Sequence, residues 1–96
     1  MSYDILISQD VAGFLDNLDE KSSRICRNNL EKLEEDPLPG GGRGDKEKLK
    51  NSDHHRLHIS REYTAIYLIA ESESLVKVID LMTIDQAHKK YGSYVR

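Results

Sequence analysis

Two short segments of this 96-residue chain carry side chains that could handle a phosphodiester. One holds Arg56, His58 and Arg61, the other His88, Lys90 and Tyr91. Cutting RNA without a metal has three requirements: a group to take the 2′-hydroxyl proton, positive charge near the phosphorus, and a group to protonate the leaving 5′-oxygen. Arg, Lys, His and Tyr can fill these roles, and histidine is the side chain that ordinarily titrates near neutrality. The stretch His55–Ser60 alternates, with Leu57 and Ile59 on one side and Arg56, His58 and Ser60 on the other. Arg56 and His58 are therefore expected on one face of a strand. The same residues also suit a solvated strand face, and Lys89-Lys90 near a helix C-terminus also suits the helix dipole.

Other motifs carry less. The stretch PLPGGGRGD, 37–45, lacks the Gly-Lys-Ser/Thr ending and the preceding strand of a phosphate-cradling loop, and it reads as a mobile connector. Asp53-His54-His55 occurs once, without further acidic ligands. His54 and His58 are four apart on one strand and would share a face, but two histidines without a placed carboxylate make a poor metal site. No metal and no cofactor are expected. Cys26 is the only cysteine, so no internal disulfide forms; it falls on an apolar helical stripe and reads as a core residue. No run approaches the roughly 18–20 apolar residues of a membrane span. The N-terminus has no basic region ahead of an apolar one, so a cytoplasmic protein without a membrane partner is expected.

The elements that must position these residues follow from periodicity. Tyr3–Ile7 reads as a first strand. Ser8 is a candidate N-cap for a helix whose buried face is Val11, Phe14, Leu15 and Leu18. Asp19 can cap a second helix, 20–35, with the stripe Ile25, Cys26, Leu30 and Leu33, ended before Pro37. A short strand, Lys46–Lys50, precedes a turn at Asn51-Ser52-Asp53. Tyr63–Ala70 and Leu75–Met82 are apolar enough for central strands covered on both faces. Thr83 and Gln86 form a capping box for a last helix, 84–91, which Gly92 is expected to stop. The expected fold is α+β over one domain, 1–96: an N-terminal helical hairpin packed on one face of a small, mainly antiparallel sheet, with a short C-terminal helix. Charge is uneven within a net of −3. Residues 1–42 hold nine acidic against four basic residues, whereas 43–61 hold six basic against three acidic ones.

The order and spacing of these pieces resembles the RelE/ParE superfamily of type II toxins over nearly the whole chain. Lys48-Leu49-Lys50-Asn51 is similar to the family's Lys-Leu-x-Gly element. The run from His55 to Tyr67 resembles its Tyr-Arg-Ile-Arg-Val-Gly-x-Tyr-Arg-Val-Ile-Tyr hairpin, and Ala87-His88-Lys89-Lys90-Tyr91 resembles its basic, tyrosine-ended C-terminal segment. The resemblance to the RelE branch implies a ribosome-dependent endoribonuclease that cuts mRNA in the decoding site without a metal. It implies Arg56, His58, Arg61, His88 and Tyr91 as catalytic residues, and Lys48, Lys50, Lys89 and Lys90 as RNA contacts. It implies a cognate antitoxin, the ribosome and mRNA as partners. Two other behaviours belong to the same superfamily: ParE-like poisoning of DNA gyrase, and antitoxin binding without catalysis. The chain departs from the pattern at Thr64, where the family has arginine, at Met82-Thr83-Ile84, where a basic residue is usual, and in its acidic net charge.

Overall fold

The computed structural model describes residues 2–39, 46–49 and 51–94, with side chains described up to residue 89. Among them are strands β1 (Asp4–Ile7), β2 (Lys46–Lys48), β3 (His55–Ile59), β4 (Tyr63–Ala70) and β5 (Leu75–Thr83), and helices α1 (Gln9–Asn17), α2 (Glu20–Glu31) and α3 (Ile84–Tyr94). The strands form one sheet in the order β1-β5-β4-β3-β2. Every neighbouring pair is antiparallel except β1 with β5, which run parallel. The fold is the expected α+β arrangement. No helix among the described residues is long and apolar enough to cross a membrane.

Local chemistry accounts for the helices. The Ser8 hydroxyl accepts from the Val11 N–H at 3.2 Å, and the Asp19 carboxylate accepts from the Ser22 N–H at 3.4 Å, so each helix of the hairpin has its side-chain cap. α2 passes into a 3₁₀ turn, Lys32–Glu34, rather than staying α-helical to residue 35. The Thr83–Gln86 capping box forms in both directions: the Thr83 N–H donates to Gln86 Oε1 at 3.0 Å, and the Gln86 N–H to Thr83 Oγ1 at 3.3 Å. α3 does not stop at Gly92 but runs to Tyr94. Glycine inside a helix costs only about 1 kcal/mol relative to alanine, too little by itself to end one. β2 ends at Lys48, two residues short of the expected strand.

The sheet carries a core on each face. On one side the helical hairpin buries Val11, Leu15, Cys26, Leu30 and Leu33 against Leu57, Ile59, Ala65, Tyr67, Val76, Val78 and Leu81. On the other, α3 lays Ala87 against Leu49, Ile66 and Met82. β4 lies between the two cores, and all five residues from Tyr63 to Tyr67 are buried. Desolvation inside the first core, with a smaller contribution from the Glu62 charge, pushes the Cys26 thiol up to about 11, so at neutral pH it behaves as an inert apolar group.

A bulge divides β5. Ile66 is opposite Asp80 and Tyr67 is opposite Val78, which leaves Ile79 as the extra residue. Strict alternation from Val76 and Val78 would send Asp80 into the helix-side core. The extra residue reverses the phase, so Leu81 enters that core while Met82 turns to the α3 side.

Gly13 lies inside α1, and a methyl group added there meets nothing within 4 Å. Gly13→Ala is therefore expected to stabilise the protein by about 0.5–1 kcal/mol, read as a rise in thermal midpoint.

Candidate active site

The sheet face under α3 collects the chemistry. Cross-strand register sets Glu47, Arg56, Ile66 and Asp80 in one row and His58, Thr64 and Met82 in the next. Residues directly opposite one another share a face, so both rows belong to the face that α3 partly covers. Arg56 and His58 are half-buried there, as their alternation with buried Leu57 and Ile59 requires. The Arg56 guanidinium donates to Glu47 Oε2 at 2.7 Å; the Arg56 side chain is 22% exposed and that of Glu47 55%. A half-buried guanidinium needs an anion, and the edge strand supplies one. Sequence reasoning missed Glu47. The available signal was the period-two pairing of a short strand with β3, which needs the register and not only the strand.

Asp80 reaches the same face through the bulge, and one of its carboxylate oxygens accepts from the Leu81 N–H at 3.0 Å. Thr64 is fully buried between His58 and Met82 in register, and among the described residues its hydroxyl oxygen has no hydrogen-bond partner.

The other sequence-derived candidates are dispersed around this face. Arg61 is exposed in the turn between β3 and β4, a turn that Ser60 closes at φ 57°. The neighbouring Glu62 carbonyl accepts from the Ile84 N–H at 2.9 Å, so this turn abuts the start of α3. His88 and Lys89 are exposed on α3 beside the buried Ala87. Lys48 is opposite His55, on the reverse side of the sheet from Arg56. Lys50 lies outside the described residues, as do the side chains of Lys90 and Tyr91 and the glycine-rich segment 40–45.

His54 lies just before β3 and not on the strand itself, with its Nδ1 2.6 Å from the Ser52 hydroxyl. Among the described residues no group of three or more His, Cys, Asp or Glu side chains could hold a metal ion. His55 is buried on the helix side and stacks on Tyr67 with ring centroids 5.3 Å apart. Burial, and to a lesser extent the Lys48 charge, hold its pKa below the ordinary histidine value, opposed in part by Asp53. The Tyr67 hydroxyl donates to the Pro37 carbonyl at 2.6 Å and ties the segment after α2 to β4. A guanidinium beside a carboxylate and an imidazole can bind an oxyanion and exchange protons, which is what in-line attack on a phosphodiester requires.

No family model and no curated protein matches the chain. Solved structures do. The chain is similar to the archaeal RelE–RelB complex of Pyrococcus horikoshii, with 24% identity, a TM-score of 0.72, and coverage of 86% of this chain and 96% of that one. It is similar to a RelBE toxin–antitoxin complex of Mycobacterium tuberculosis, with 13% identity, a TM-score of 0.70, and coverage of 86% and 99%. It is also similar to the YoeB/ParE toxin of Agrobacterium tumefaciens, with 18% identity, a TM-score of 0.66, and coverage of 83% and 96%. At such identities the likeness is one of fold: the chain has the RelE-like toxin fold.

Two stability predictions follow from the polar groups buried on the two faces. Folded His55 resists protonation whereas the unfolded residue takes a proton near 6.5, so its contribution is present above that pH and is lost as pH falls below it. The thermal midpoint should drop on acidification through this range, and drop less in His55→Phe. Thr64→Val removes a buried hydroxyl that lacks a partner, and should raise stability by about 1 kcal/mol in a denaturant titration.

Proposed function

We propose that this chain is the toxin of a type II toxin–antitoxin pair and acts as a ribosome-dependent endoribonuclease on mRNA. The carrying observation is the Arg56–Glu47 pair beside His58, on the face partly covered by α3, in a RelE-like fold. Two of the similar structures are toxin–antitoxin complexes, which supports a cognate antitoxin as partner.

In this reading the RNA lies along the β3 face with its scissile phosphate at Arg56. A base removes the 2′-hydroxyl proton, and the 2′-oxygen forms a bond to phosphorus as the bond to the 5′-oxygen breaks. The products are a 2′,3′-cyclic phosphate and a 5′-hydroxyl that takes up one proton. Glu47 adds to the candidates for the base, because the Arg56 guanidinium already holds its carboxylate on this face. His58 or His88 shuttles a proton, and Tyr91 positions the nucleotide. With threonine at position 64, the charge that offsets the phosphorane comes from Arg56 and from Arg61 at the end of β3. Lys48, Lys50, Lys89 and Lys90 hold the RNA backbone. Lys48 does so from around the sheet edge, since it projects from the reverse side. No step uses a metal or cofactor. The acidic balance of the chain limits the number of phosphate contacts, so much of the binding energy comes from the ribosome-held geometry of the message and little from counterion release.

The test is inducible expression of wild type, Arg56→Ala and Glu47→Gln, with mRNA 5′ ends on stalled ribosomes mapped by primer extension. Wild type should cut within the decoding site. Arg56→Ala should lose at least about 100-fold in cutting, on the scale of removing one transition-state donor, with its thermal midpoint nearly unchanged. Undiminished cutting by a folded Arg56→Ala protein overturns the assignment. Growth arrest with topoisomerase-linked DNA breaks and intact mRNA would instead assign the chain to gyrase poisoning. Antitoxin binding without arrest would make it a binding module.

A further inference from the structure

Glu47 meets Arg56 only while β2 stays in register, and β2 has little of its own to keep it there. The strand is three residues long, lies at the sheet edge, and among the described residues pairs with β3 alone. A short edge strand opens locally unless its side chains pin it. Leu49 pins the C-terminal end: it is 5% exposed in the α3-side core, and its N–H donates to the His54 carbonyl at 2.9 Å. The Glu47–Arg56 pair is a weak pin by itself, because the Glu47 side chain is 55% exposed and ion pairs open to water contribute little.

Lys46 holds the other end. Its register partner is Leu57, a residue of the hairpin-side core, so Lys46 projects from the face opposite to that of Glu47. There its ammonium donates to the Asp36 carbonyl at 2.7 Å and lies 3.0 Å from Asp36 Oδ2. The Lys46 side chain is only 19% exposed, so these charge-assisted bonds are partly shielded from water. Asp36 is itself fixed. Its N–H donates to the Lys32 carbonyl at 3.2 Å, and the next residue, Pro37, is buried with its carbonyl held by the Tyr67 hydroxyl at 2.6 Å. Tyr67 belongs to the core. An unbroken series of contacts thus runs from β4 through Tyr67, Pro37, Asp36 and Lys46 to Glu47 and Arg56. A slip of β2 by one residue would turn Glu47 to the hairpin side and take Lys46 off Asp36.

We propose that Lys46 is a positioning residue: clamped on Asp36, it fixes the register of β2 that sets Glu47 on Arg56. Its effect on cutting rests on the nuclease reading above, whereas its effect on the Arg56 guanidinium does not.

Nitrogen-15 NMR of the purified chain reads the guanidinium directly, because ion pairing slows its rotation and separates its Nη signals. Glu47→Gln gives the Arg56 signals without the carboxylate. Lys46→Met, which keeps the length of the stem, should move the signals toward those of Glu47→Gln, and Lys46→Arg, which keeps a donor, should leave them near wild type. Asp36→Asn changes an exposed side chain and spares the carbonyl, so it should move them in the same direction by less. In the primer-extension assay Lys46→Met should cut roughly 10- to 100-fold less, the cost of a small misplacement. Added to Glu47→Gln it should cost less than about twofold more, because it acts through Glu47.

Unmoved Arg56 signals in a folded Lys46→Met protein overturn the proposal, whether or not the chain cuts RNA. If Lys46→Met does not fold, unmoved signals in Asp36→Asn overturn it. A loss of cutting in Lys46→Met that multiplies in full with Glu47→Gln also overturns it, and makes Lys46 a phosphate contact. Signals that shift as expected in a chain whose wild type leaves mRNA intact support the clamp and overturn the nuclease reading alone.

Discussion

The two-sided burial of β4 is the constraint from which the rest of this structure follows. A strand that is dry on both faces needs a cover on each, and the chain supplies two of different kind. The hairpin of α1 and α2 lays a broad apolar face on one side. Among the described side chains, α3 lays Ala87 on the other. Arg56 and His58 on the neighbouring strand are half-buried on that side. In such a place a side chain is desolvated enough for charge to act strongly and still accessible enough to meet a ligand.

The bulge at Ile79 adds a polar residue to the α3 side. Alternation along β5 would have driven Asp80 into the hairpin core, where an unpaired carboxylate is costly. One extra residue reverses the phase, puts Leu81 in the core, and delivers Asp80 to the row that holds Arg56. The same face carries Glu47 from the edge strand. Arg56 therefore sits in a row with a carboxylate residue at each end, and it donates to Glu47 at 2.7 Å across the sheet.

Thr64 shows how the face differs from the pattern its fold leads one to expect. The residue is fully buried and its hydroxyl is unsatisfied among the described residues, so it adds no charge and destabilises slightly. Under the proposed function, cationic help at a phosphate would then fall to Arg61 in the turn and to the basic residues of α3.

The sequence by itself determined the element order, the caps and the hairpin core. Ser8, Asp19 and the Thr83–Gln86 pair act over three residues, and the stripes of α1 and α2 repeat every turn, so both signals are local. It also determined that Arg56 and His58 share a face, because strand alternation is a property of the backbone alone. Tertiary structure decided what stands beside them. Glu47 meets Arg56, and Lys48 turns away, only through the register of β2 on β3. Asp80 joins the row only because β5 bulges. His54 falls just before β3, bonded back to Ser52, and α3 continues past Gly92 because one helical glycine is too weak a signal to stop it. Register and bulge are set by which pairing fills both cores at once, a condition on the whole sheet that no short window of residues contains.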